Sequence, residues 1–284
     1  MTQGLAQILQ EERLSSSSSR KYIKDTSRAG AGALIFAFPL LMTMEMWELG
    51  FYMEPARLLI FLLVSLPMLV GLSHYSGFED TFEWREDVMD ALTAFAVGIA
   101  TSASLLVLLA IIRGDMPWEE LVGKVAVQAV PASIGAMLAR TQFGKHSASD
   151  ERRKERVGYI RTLFLMSVGA LYLAFNVAPT EEMVLIGYKM TPWYGLVLLA
   201  FSIVIMHALV YTIGFHGEQD REHTFLHTFH RFTIVGYAVA LLVSVFVLWV
   251  FGRLEDKSLL QVVMPTVVLG FPAALGAATT RLIL

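Results

Sequence analysis

The 284-residue chain contains no cysteine. Disulfides, thiolate metal sites and thiol redox chemistry are therefore excluded. Charge is scarce as well: 17% of the residues are Asp, Glu, Lys or Arg, against about 25% in an average soluble domain. Catalytic signatures are absent. There is no Gly-x-Ser-x-Gly, no phosphate-binding loop, no dinucleotide fingerprint and no His-Glu-x-x-His, so no enzyme is expected. No basic domain points to a nucleic-acid partner. No apolar core with a small-residue cleavage site opens the chain, so no cleaved leader is expected.

What the chain has is apolar length. Hydrophobic residues make up 55% and the mean hydropathy is +0.58. A spanning helix needs about 20 mostly apolar residues. Eight such segments are expected, at roughly 29–49, 56–76, 90–112, 120–140, 159–178, 193–215, 232–251 and 259–281. The fold class is therefore an all-α membrane protein with the lipid bilayer as its partner. The fourth and eighth segments are rich in Gly, Ala, Ser and Thr, which suits helices packed inside a bundle or between protomers of a homo-oligomer.

An even number of spans places both termini on one side. That side would hold sixteen of the 22 Lys and Arg residues; the other six are Arg57, Arg113, Lys124, Lys189, Arg253 and Lys257. The positive-inside rule then puts both termini in the cytoplasm.

The chain also resembles itself. Shifted by 137 residues, 32–78 align on 169–215 without a gap, and 17 of the 47 positions are identical. The matches include Thr43/Thr180, Glu45/Glu182, Gly50/Gly187 and Pro55/Pro192. At a shift of 141, Pro131, Gly135 and Arg140 fall on Pro272, Gly276 and Arg281. Hydrophobicity alone does not keep Glu, Thr, Pro, Gly and Arg in register, so a duplication is expected. The organisation would be an arm at 1–28, a four-helix repeat at 29–140, a basic linker at 141–158 and a second repeat at 159–284. Units of four spans enter the membrane in the same direction, which implies a pseudo-two-fold axis along the membrane normal.

Ionisable groups at membrane depth are costly, which makes them the first functional candidates. Glu45 and Glu182 occupy matched positions near the outer ends of spans one and five. Brought together by the pseudo-axis, they could bind a cation or share a proton. Glu48 lies one turn beyond Glu45. Asn176 sits mid-span at the position matched by Pro39, and His207 lies deep in span six. Gln128 is a further polar residue within span four. The same glutamates equally suit a solvated interface, and the lone His suits a bond to a neighbouring helix.

A second group lies before the third span of each repeat. His223, His227 and His230 recur at i, i+4, i+7, which sets three imidazoles on one helical face. Such a face suits Zn²⁺ or another divalent metal. The first repeat has Glu79, Glu83 and Glu86 in the corresponding stretch. Carboxylates facing imidazoles would form a divalent site or a pH-sensitive latch. The plain alternative is a pair of amphipathic interfacial helices.

The length, the eight spans and the Glu-Met-x-x-x-Gly pattern at Glu45–Gly50 resemble a group of prokaryotic integral membrane proteins of no assigned activity. The resemblance implies a location in the prokaryotic inner membrane and carries over no site residues. The expectation is a channel or secondary transporter for a small cation or proton, with no resident cofactor unless the histidine face holds a metal. The alternative is a sensor or scaffold that binds metal, protons or a partner through its cytoplasmic helices.

Overall fold

The computed structural model describes residues 25–76, 84–143, 158–213 and 225–283, and these contain only helices. In chain order they are α1 (Asp25–Leu41), α2 (Met44–Tyr52), α3 (Pro55–Ser76), α4 (Trp84–Leu108), α5 (Trp118–Phe143), α6 (Tyr159–Val177), α7 (Glu181–Lys189), α8 (Pro192–Ile213), α9 (Phe225–Thr228), α10 (Val235–Val250) and α11 (Leu259–Ile283). A π-helical turn, Phe229–Ile234, joins α9 to α10. Most of the arm and linker expected at 1–28 and 141–158, together with Glu79, Glu83 and His223, lies outside the described residues.

Seven of these helices are long and apolar enough to cross a membrane: α3, α4, α5, α6, α8, the run Phe229–Val250, and α11. The first expected span differs. Segment 29–49 is not one helix but α1 and α2, bent by 87° at Met42–Thr43. The cause is local. Thr43 is extended (φ −102°, ψ 125°) and returns both its N–H and its hydroxyl to the Leu40 carbonyl. The Trp47 indole N–H donates to the Leu41 carbonyl at 2.7 Å. These bonds satisfy carbonyls that a continuing helix would have used. In the second half α6 stops likewise at Ala178–Thr180, and Thr180 returns N–H and hydroxyl to Val177.

Span three also begins and ends earlier than expected. α4 terminates at Leu108 because Ala110 takes a left-handed conformation (φ 56°). Its N–H reaches Val107, and the N–H of Ile111 reaches Leu106. This is the paired bonding of a Schellman stop. α10 stops the same way, with Gly252 (φ 70°) bonding Trp249 and Arg253 bonding Leu248.

The small-residue helices are the most enclosed, with 78% of an 18-residue apolar stretch of α5 and 56% of that of α11 buried inside the chain. Gly135 on α5 meets Gly32 on α1, and Gly276 on α11 meets Gly169 on α6, so closely that no Cβ fits. These glycine faces are thus used within one chain. Without a hydrophobic drive between helices in lipid, such close backbone approach is what holds them.

The halves meet through α3 and α5 against α6, and α3 against α10. The seam is aromatic. Phe36 packs on Tyr172, Tyr75 on Phe164, and Phe61 on both Phe175 and Phe251, at centroid distances of 5.0–6.4 Å. Phe61 and Phe175 are fully buried. Exposed Trp118, Trp193, Tyr194 and Tyr52 stand at one set of helix ends, and Trp84 and Tyr211 at the other. Two such belts mark the membrane interfaces.

Candidate polar site at the helix break

The α1–α2 bend leaves the end of α1 beside α5. Three polar residues of α5, Glu120, Lys124 and Gln128, recur every four residues and so share one face. Lys124 is 8% exposed and ion-pairs with Glu120. Gln128 is fully buried, and its Nε2 donates to the Leu40 carbonyl at 3.4 Å. Its Oε1 has no hydrogen-bond partner among the described residues. At 1.5 Å per residue, Gln128 lies about 15 Å in from Trp118, and Lys124 about 9 Å. Since the hydrocarbon slab is about 30 Å thick, this stripe runs toward mid-membrane.

α2 lies against α5 at this level, where Gly50 leaves no space for a Cβ beside the Lys124 backbone. Glu45 and Glu48 belong to this short cross-running helix and not to a straight first span. Glu45 is half-buried, Glu48 is exposed, and neither pairs with a described residue. In the second half Glu182 stands in the first turn of α7 and is exposed. α2 rests on α5, whereas α7 rests on α11. The expected facing of Glu45 and Glu182 therefore has no support in helix packing.

The second break is built differently. At the shift of 141, Lys124 falls on Pro265 and Gln128 on Leu269. In place of a polar stripe, Arg253 donates to the Pro179 carbonyl at 2.6 Å. Asn176 closes on its own helix, donating Nδ2–H to the Tyr172 carbonyl at 2.8 Å. His207 is buried, with Nδ1 2.8 Å from the Thr233 hydroxyl and its ring edge-on to Phe229. It thus packs on the π-helical turn, a form of helix that often marks functional sites. The Tyr159 hydroxyl donates to the Arg231 carbonyl of the same turn at 2.9 Å.

At the other end, His74 and Asp87 approach to 2.9 Å, and His74 stacks on Trp84. Glu86 sits in the first turn of α4. His230 lies on the π turn, donating Nδ1–H to the Leu226 carbonyl at 2.9 Å. The side chain of His227 is outside the described set. Among the described residues no three His, Asp or Glu side chains are grouped to hold a metal.

Sequence reasoning did not single out Lys124, Glu120, Arg57 or His74. The sequence signal for the first two is weak, because Glu120 stands beside Glu119 in the first turn of α5 and Lys124 only one turn further on.

These features define a multi-pass integral membrane protein with a polar site at a broken helix. The chain belongs to the DUF2391 family, described as "Putative integral membrane protein", whose profile matches residues 25–284. No curated protein and no solved structure matches it.

Proposed function

We propose that the protein is a permeation protein, a channel or secondary transporter, for a small cation or proton. The observation that carries this reading is the Glu120–Lys124–Gln128 stripe, half-buried at Glu120 and buried at the other two, against the α1–α2 break. Broken helices and buried ionisable groups at membrane depth are how transporters build their sites. The route runs inside the first four-helix unit. Phenylalanine and tyrosine rings fill the seam between the halves, where repeat proteins usually place it.

The two units are copies pointing the same way. Supporting this are the matched breaks at Thr43 and Thr180, the matched glycine contacts and the matched Schellman stops. By the distribution of Lys and Arg, both termini are cytoplasmic in a prokaryotic inner membrane. Glu45, Glu48 and Glu182 then gather cations at the outer side. Glu86 and His230, with Glu79, Glu83, His223 and His227, form the cytoplasmic gate or sensor and are the place for a divalent metal.

The second reading, a non-transporting sensor or scaffold, is favoured by that same aromatic seam. Flux into proteoliposomes across a panel of cations, with and without a pH gradient, separates the two. Permeation predicts flux that falls at least tenfold when Lys124→Met is combined with Glu120→Gln. No flux of any cation or proton by folded wild-type protein leaves the sensor reading.

A further inference from the structure

The Leu40 carbonyl is crowded. A carbonyl oxygen has two lone pairs, yet it receives the Thr43 N–H at 3.2 Å, the Thr43 hydroxyl at 2.8 Å and the Gln128 Nε2 at 3.4 Å. The Gln128 contact is the longest of the three. The carboxamide nevertheless faces this way, because a reversed amide would set Oε1 against a carbonyl that only accepts. As it stands, Oε1 is buried without a donor among the described residues, and a buried acceptor left unpaired is destabilising. Leu40 also lies in the last turn of α1, where a helix carries roughly half a negative charge.

We propose that this corner is a binding site for a monovalent alkali cation, held by the Leu40 carbonyl, the Thr43 hydroxyl oxygen and the Gln128 Oε1. Rotation of the carboxamide turns the donor away and brings its oxygen to the carbonyl, so that the cation takes the place the N–H occupies. All three ligands are neutral oxygens. Divalent cations want carboxylates as well as carbonyls, and none of the three ligands is a carboxylate. The unwound end of a half-helix is a general location for such an ion.

The second half contains a natural control. Thr180 and Val177 reproduce Thr43 and Leu40, but the position of Gln128 is held by Leu269, fully buried. One cation per chain is therefore expected. The inference deepens the permeation reading by naming the ion class and its ligands, and it rests on that reading only for what binding leads to.

Equilibrium thermal unfolding of the purified full chain in detergent tests it without any gradient. The salts are sodium, potassium, lithium and choline chloride at equal ionic strength. At least one alkali cation should raise the midpoint saturably, by roughly 3 °C or more. Gln128→Leu, the residue the second half already uses, should abolish the rise; if that variant does not fold, Thr43→Val should reduce it. Equal midpoints in all four salts would overturn the site, as would a rise unchanged in the variants. Binding that survives while proteoliposomes show no flux would instead remove the permeation reading and keep the site.

Discussion

Gly32 on α1 and Gly135 on α5 face each other with no room for a side chain between them. The obstacle on each side includes the other's carbonyl oxygen, which cannot rotate away as a flexible side chain can. Gly32→Ala should therefore destabilise the protein by about 1–3 kcal/mol, the usual range for overpacking. Gly30→Ala is the control, because nothing lies within 4 Å of its Cβ position. There the better helix former should raise stability by about 0.5–1 kcal/mol. Opposite signs in detergent unfolding, two residues apart on one helix, would tie the effect to the contact.

Ala110 and Gly252 hold the same left-handed position at the ends of α4 and α10. A Cβ in that conformation costs about 1 kcal/mol, and glycine has no such cost. Ala110→Gly should stabilise by up to about 1 kcal/mol, and Gly252→Ala should destabilise by a similar amount. The pair of unfolding midpoints checks both. A loss of stability on Ala110→Gly would mean that the Ala110 side chain is held by something other than the turn.

The spans were largely legible in the sequence, because lipid demands long apolar runs and seven helices have them. The bend was not. Met42 and Thr43 lie inside a run whose composition reads as one helix, and the cause is a set of hydrogen bonds among Thr43, Trp47 and two carbonyls. The matched register of Thr43 with Thr180 is the available sign, since threonine is a natural residue before a helix start. The site was legible in its parts only. Glu45 drew attention for matching Glu182, but the polar stripe on α5 has no counterpart in the second half, so a search for symmetry passes over it. Lys124 looks like a helix-end cation until α2 is seen lying across it. Arg57 sits at the edge of a hydropathy run, where charge is ordinary.

Arg57 joins the two halves at the end of the bundle that carries the break. It donates to the Trp249 carbonyl at 3.2 Å, lies 5.5 Å from the Trp249 ring centroid and pairs with Glu54 and Glu255. Its side chain is mostly covered, whereas Glu255 is more than half exposed. The ion pair is therefore screened, and Glu255→Gln should cost no more than about 0.5 kcal/mol. Arg57→Ala should cost more, about 1–2 kcal/mol, through the lost carbonyl bond and ring contact. Arg57→Lys should recover little of this, since an ammonium lacks the planar fork that serves several partners. A double-mutant cycle on Arg57 and Glu255 measures their coupling directly, and a coupling above 1 kcal/mol would contradict the assignment.

The Glu120–Lys124 pair gives the sharpest contrast. If it were an ordinary surface pair, either single substitution would cost under about 1 kcal/mol. Both side chains are largely covered, at 18% and 10% exposure. Removing one partner leaves a charge with little water to replace it, for which about 3 kcal/mol is typical. Lys124→Met and Glu120→Gln should each destabilise by about that much. The double variant should recover most of the loss, because it leaves no unpaired charge. Non-additivity of this size in detergent unfolding establishes that the pair is stabilised by its own coupling and not by each residue's packing. It also provides a folded protein without the two charges, in which a loss of ion flux can be assigned to those charges and not to a collapsed bundle. Additive losses, with the double variant the least stable of the three, would instead mean that each side chain is held by its other neighbours.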